Sequence, residues 1–115
     1  RLKVCVNVHL ILYQGNHILF SLRQNTGYED GRYSLVAGHV EEGETPNQAM
    51  IREAQEEIGI LLVPDDLKVV HTMYRKTNRN NIDFFLTCRQ WAGQIHNREM
   101  LKCREVSFFS CTPAN

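Results

Sequence analysis

Three glutamates, Glu53, Glu56 and Glu57, are spaced i, i+3 and i+4, which places them on one face of any helix that contains them. They sit in a longer register, Gly38-x5-Glu44-x7-Arg52-Glu53-Ala54-x-Glu56-Glu57-x-Gly59-Ile60. At background usages of roughly 5–7% per residue type, that register has chance odds on the order of 10⁻⁷ in so short a chain. Three carboxylates on one helical face repel one another and raise one another's pKa values. They also lie toward the C-terminal half of the helix, where its dipole disfavours negative charge. Two unfavourable terms on one surface call for a compensating cation. Hard oxygen donors suit Mg²⁺ or Mn²⁺, which also take water and phosphate oxygens as ligands. Three bare glutamates alone would also fit a solvated surface helix. The glycine, Glu44 and Arg52 in register favour a site.

The helix that must carry these groups has clear ends. Thr45 is an N-cap residue, Pro46 suits the first helical position, and Gln48 completes a Thr-x-x-Gln capping box. Gly59 ends the helix and Pro64 prevents an early restart, giving a helix over roughly 46–58. Met50, Ile51, Ala54 and Ile58 gather on one side, and the glutamates are expected on the opposite side. Before the helix, Val4, Val6, Val8, Leu10 and Leu12 alternate with Lys3, Cys5, Asn7, His9 and Ile11 as in a half-buried strand. Gly15-Asn16 turns the chain into a hairpin partner, His17 to Arg23. A polar loop over 25–31 leads to a short strand, Tyr33 to Ala37. After the helix, strands are expected at Leu67 to Arg75, Ile82 to Trp91 and Glu105 to Phe109, with a tight turn at Thr77 to Asn81.

The register resembles the Nudix box. The resemblance extends to Trp91-x-Gly93, Asn97-x-Glu99, Lys102-Cys103-x-Glu105 and Phe108-Phe109, which match the family's run between its late strands. Pro113-x-Asn115 resembles the start of the family's C-terminal helix. The resemblance implies an α+β fold, an α/β/α sandwich around a mixed sheet. It also implies a C-terminal helix apparently missing from this chain. In Nudix hydrolases the residues matching Glu53, Glu56 and Glu57 bind divalent metal, and the carbonyl near Gly38 often adds a ligand. One of these glutamates or an acid from a later loop serves there as general base. In MutT-like members the residue matching Glu53 is the usual candidate, and a late-loop acid, here Glu99, also contacts metal. Arg52 orients the glutamates and Glu44 supports the loop. Two positions depart from the family pattern: Ala37 stands for a glycine before Gly38, and His39 follows it.

The 115 residues are read as one domain, 1–115, with zero net charge. That balance points to neither nucleic acid nor a membrane as partner. Six of the thirteen acids lie within 41–57, whereas bases mark Arg23, Arg75, Lys76, Arg79, Arg98, Lys102 and Arg104. An acidic metal patch rimmed by phosphate-binding bases gives this partition, and so does ordinary surface charge. Cys5, Cys88, Cys103 and Cys111 show no metal-binding spacing and read as reduced thiols. No run approaches the roughly 20 apolar residues of a membrane span, and a cytoplasmic location is the default expectation.

For the substrate, Arg23 stands where MutT-like enzymes place a phosphate-binding arginine. Tyr28 and Tyr33 could stack on a base or simply pack, and His39 could hydrogen-bond within the catalytic loop. The leading expectation is a Mg²⁺-dependent pyrophosphohydrolase that converts a nucleoside triphosphate to monophosphate and pyrophosphate. The alternatives are hydrolysis of ADP-ribose, a nucleotide sugar or a dinucleoside polyphosphate, or an inert Nudix domain that binds a nucleotide.

Overall fold

A computed structural model describes residues 2–28 and 30–111. The elements run β1 (Val4–Gln14), β2 (His17–Arg23), β3 (Tyr33–Ser34), β4 (Val36–His39), α1 (Pro46–Ile58), β5 (Lys68–Lys76), β6 (Asn80–Cys88) and β7 (Cys103–Ser110). Strand β1 is the spine. It runs parallel to β6 from Val4↔Asn80 to Leu12↔Cys88, and antiparallel to β4 between Asn7↔His39 and Leu10↔Val36. Its far end, Tyr13 and Gln14, pairs with β2, which also pairs with β3 and β7. Strand β5 pairs antiparallel with β6 beyond β1. The result is a mixed sheet carrying α1, as expected. The terminal helix expected from Pro113 lies outside the described residues.

The alternation in β1 sends Val8, Leu10 and Leu12 to one face, where they are buried with Ala49, Met50, Ala54 and Ile58 of α1. The other face of the same strand presents Asn7 and His9. Asn7 is buried there and His9 is half-buried, so that face is polar and only partly open to solvent.

Two expectations change. The single strand Tyr33 to Ala37 is two strands broken at Leu35, because Tyr33 and Ser34 pair with β2 while Val36 onward pairs with β1. One extended segment cannot serve both partners. The last part of the expected strand Ile82 to Trp91 is also lost. Strand β6 ends at Cys88, and Trp91 stacks on Phe108 with ring centroids 6.3 Å apart. Pro64 opens a short 3-10 turn, Pro64–Asp66.

The ends of α1 form as the sequence requires. Gln48 donates its backbone N–H to Thr45 Oγ1 at 3.2 Å, and Thr45 N–H donates to Gln48 Oε1 at 2.9 Å. Gly59 adopts φ +73° and donates its N–H to the Gln55 carbonyl. The position a Cβ would take on Gly59 is filled by the His96 imidazole. Two independent reasons therefore fix this glycine. Gly59→Ala should cost about 1–2 kcal/mol from the left-handed backbone alone, with a further loss from displacing the ring. Urea denaturation of Gly59→Ala, His96→Ala and the double variant checks this. Partial recovery in the double variant is expected, and none would show that the ring does not constrain the backbone.

Candidate active site

Arg52 organises the acidic face of α1. Its Nε donates to Glu44 Oε2 at 2.7 Å, and Nη2 donates to Glu44 Oε1 at 3.0 Å and to the His39 carbonyl at 2.9 Å. Nη1 donates to Glu53 Oε1 at 2.7 Å and to Glu56 Oε2 at 3.3 Å. All five guanidinium hydrogens are thereby used. The charge-assisted bond from Arg52, helped by the Glu41 backbone N–H, lowers the Glu44 carboxyl to about 2. The Glu53 carboxyl occupies the space that a side chain at position 38 would need. Gly38 is thus required by close approach of the helix, whatever its carbonyl does.

The three helix glutamates are not equivalent. Glu53 keeps 15% of its side chain exposed, and Glu56 keeps 53%. Glu57 turns inward, and its Oε2 is buried without a hydrogen-bond partner. Burial, and then Glu53, Glu99 and Glu56, push the Glu57 carboxyl up to about 9. At about 100° per residue, the carboxylates centre roughly 120° from the apolar stripe, so they adjoin it instead of opposing it. That offset is why Glu57 is buried, and it corrects the expected opposite face.

Glu53, Glu57 and Glu99 line one cleft of about 220 Å³ together with Arg23, Lys102 and Cys103. Glu99 reaches it because the segment 96–99 is clamped to the end of α1. His96 N–H donates to the Ile58 carbonyl at 3.0 Å, and Arg98 N–H to the Glu57 carbonyl at 2.9 Å. Arg98 Nη1 adds a bond to the Gln55 carbonyl at 3.2 Å. Asn97 Oδ1 accepts the Glu99 N–H at 2.9 Å, and its Nδ2 donates to the Cys103 carbonyl at 2.7 Å. The sequence reading missed these clamp residues, since a cap delivered from 40 residues downstream leaves no local signal.

The other candidates divide. Arg23 lies in this cleft, and its Nε donates to the Tyr28 carbonyl at 3.0 Å. Tyr28 is 67% exposed and lines a larger neighbouring cleft. Tyr33 packs edge-on against Phe109, with centroids 4.8 Å apart. The His39 imidazole points away from the acids, its Nδ1 lying 2.7 Å from Asn7 Oδ1. Only its carbonyl serves the acidic face.

Among the described residues, no three acidic, His or Cys side chains are gathered into a ready cage for a cation. Arg52 draws Glu53 Oε1 and Glu56 Oε2 to itself. The donors nonetheless fit a hard divalent ion. They are all carboxylate oxygens, and a buried, unpartnered Glu57 oxygen is a costly arrangement that a cation relieves. Among the same residues, no helix is long and apolar enough to cross a membrane.

The sequence profile of the NUDIX domain matches residues 3–114. The chain is 29% identical over 98 residues to the 8-oxo-dGTP diphosphatase of Escherichia coli K12, covering 84% of this chain and 74% of that protein. It is 34% identical over 58 residues to the 8-oxo-dGTP diphosphatase of Proteus vulgaris, covering 50% of this chain and 52% of that one. The crystal structure of a MutT NUDIX hydrolase from Burkholderia pseudomallei superposes with TM-score 0.84 at 19% identity, covering 94% of this chain and 84% of that one. At that identity the structural likeness is one of fold. A profile match across nearly the whole chain, on this sheet and this glutamate helix, makes the protein a member of the Nudix family, a hydrolase acting on phosphoric anhydrides.

Proposed function

We propose that the protein hydrolyses a nucleoside triphosphate to the monophosphate and pyrophosphate, using a divalent cation held by Glu53, Glu57 and Glu99. The observation that carries this reading is the buried, unpartnered Glu57 Oε2 in a cleft that also holds Arg23 and Lys102. Carboxylates alone would repel a diphosphate. Carboxylates plus two cationic side chains suit a metal on one wall and phosphate oxygens on the other. The likeness to two 8-oxo-dGTP diphosphatases supports a triphosphate as the substrate.

A bound Mg²⁺ or Mn²⁺ would neutralise diphosphate oxygens and acidify water at the site. The chain's own residues do the rest. Arg23 and Lys102 bind phosphate oxygens and orient the phosphorus for attack. Glu53, fixed by Arg52 through Oε1, is assigned to accept the proton of the attacking water. The water oxygen bonds to one phosphorus of the linkage as the bridging P–O bond to that phosphorus breaks, which leaves monophosphate and pyrophosphate. Glu56, outside the cleft lining, accepts from Arg52 and so helps hold the guanidinium that fixes Glu53.

The direct test is a panel of nucleoside triphosphates, 8-oxo and other damaged forms included, with ADP-ribose and nucleotide sugars. Each is incubated with Mg²⁺ or EDTA and the products are separated by chromatography. Metal-dependent release of monophosphate and pyrophosphate is expected, and turnover confined to ADP-ribose or a sugar nucleotide would overturn the triphosphate reading. Glu57→Gln should lower kcat on the order of 100-fold or more, and wild-type turnover would remove Glu57 from the site. Gly38→Ala should also lower kcat, because its methyl group displaces the Glu53 carboxyl while leaving Arg23 and Lys102 in place.

The pH dependence has a defined sign. Between the ordinary glutamate value of about 4.3 and the folded value of about 9, the unfolded chain has lost a proton that the folded chain keeps on Glu57. Metal-free stability therefore falls as pH rises through that window, and cation affinity rises through it. Glu44 and Asp83, both held near 2, act oppositely and lose their contribution as pH falls toward 2. Melting temperatures in EDTA from pH 5 to 9 should decline for the wild type more than for Glu57→Gln. Parallel curves would mean that Glu57 titrates normally.

A further inference from the structure

The larger cleft, about 960 Å³, shares Arg23, Ser34, Leu35 and Ala37 with the acidic cleft and extends to the ends of β5 and β6. At its floor lies an ion-pair cluster that the hydrolysis chemistry leaves unused. Asp83 has 0% of its side chain exposed and receives four donors. Arg75 Nε donates to Oδ2 at 2.9 Å, while Arg75 Nη2 donates to Oδ1 at 3.3 Å. Asn7 Nδ2 and His9 Nε2 each lie 3.0 Å from Oδ1.

Burying a carboxylate costs several kcal/mol unless it is fully paired. Here both oxygens are paired, Oδ1 by three donors and Oδ2 by Arg75 Nε, so the negative charge of Asp83 is already compensated from within the sheet. Its partner Arg75 has five N–H donors, of which Asp83 takes Nε–H and one hydrogen of Nη2. The outer edge of the guanidinium, formed by Nη1 and the second Nη2 hydrogen, is not engaged by Asp83. Arg75 keeps 41% of its side chain exposed and lines the cleft. Its carbonyl is also fixed, accepting Asn81 Nδ2 at 3.0 Å. An arginine held on one edge by a buried carboxylate presents its other edge with little rotamer freedom to lose. That is the arrangement required for recognition of two coplanar acceptors.

We propose that Arg75, locked by Asp83, is a specificity-determining residue of the larger cleft, and that it binds a substrate group presenting two coplanar hydrogen-bond acceptors. Two sources carry that chemistry: the carbonyl and ring-nitrogen edge of a guanine-type base, or the oxygens of a phosphate. The proposal rests on the hydrolase reading only in placing the scissile diphosphate in the acidic cleft. Asp83 acts through Arg75 and is a positioning residue.

Binding without turnover separates the two claims. GMP, 8-oxo-GMP, CMP and inorganic pyrophosphate are titrated calorimetrically into wild type, Arg75→Gln and Arg75→Lys, with Mg²⁺ present. A base-edge contact lowers GMP affinity about 10- to 100-fold in Arg75→Gln, by less in Arg75→Lys, and leaves CMP within about twofold. It also makes 8-oxo-GMP less sensitive to the substitution than GMP, because oxidation at C8 puts a hydrogen on the ring nitrogen and leaves only the carbonyl of the pair as acceptor. A phosphate contact instead weakens every nucleotide and pyrophosphate alike, with Lys retaining part of the affinity. Affinities within about twofold of wild type for all four ligands overturn the proposal, and a loss of melting temperature without a change in affinity assigns Arg75 to the sheet alone. A protein that hydrolyses none of the panel above can still give the first result, so the two readings fail separately.

Discussion

The acidic site depends on one saturated guanidinium. Arg52 spends its five hydrogens on Glu44, Glu53, Glu56 and the His39 carbonyl, and so joins strand β4, the loop that follows it and two turns of α1. A planar fork fixes where those acceptors stand relative to one another, which a lysine could not do. It also sorts three glutamates of identical chemistry. Glu53 and Glu56 are held by the guanidinium, and Glu57 is beyond its reach. Glu57 is therefore the carboxyl whose ionisation burial most opposes, and in the proposed reading the one most changed by a cation.

Acids crowded at the C-terminal end of a helix face the negative end of its dipole, and α1 has no basic residue in its last turn to offset this. The compensation comes from elsewhere in the chain. Backbone N–H groups of His96 and Arg98 and the Arg98 side chain satisfy the exposed carbonyls of Gln55, Glu57 and Ile58. The same segment continues through the Asn97 turn to Glu99. Capping the helix and delivering the fourth carboxylate are consequently one folding event. A change that weakens the cap moves Glu99 with it.

What could be read from the sequence follows from how local each cause is. The Thr45–Gln48 box, Pro46 and Gly59 act within four residues, and they set both ends of α1 as expected. The glutamate face, Gly38 and Arg52 are fixed by spacing along the same stretch. The break at Leu35 could not be read, because two different partner strands impose it. The inward turn of Glu57 was legible but overlooked: at about 100° per residue it falls roughly 20° from Met50, at the edge of the apolar stripe. Asp83 left a signal that went unused: a single acid within Ile82-Asp83-Phe84-Phe85-Leu86 is costly in a sheet unless donors from its neighbours meet it. Those donors, Arg75, His9 and Asn7, come from β5 and β1, and only strand pairing reveals them.

The charge on Asp83 also sets the direction of the hydrogen bonds that join it to Asn7 and Asn7 to the His39 ring. An ionised carboxylate only accepts, so Asn7 must offer it the amide nitrogen, as it does at 3.0 Å. Asn7 Oδ1 is then left facing His39 Nδ1 at 2.7 Å, and that nitrogen must carry the hydrogen. Arg75, Asp83, Asn7 and the His39 ring thus form one hydrogen-bonded series across β5, β6, β1 and β4, while the His39 carbonyl separately accepts from Arg52. Strand β4 is the crossing point, and Ala37, which lines both clefts, lies within it. Reversing the Asn7 amide would leave two acceptors facing each other at Asp83. The buried acid therefore fixes Asn7 and, through it, the His39 ring on β4, the strand from which both clefts take Ala37.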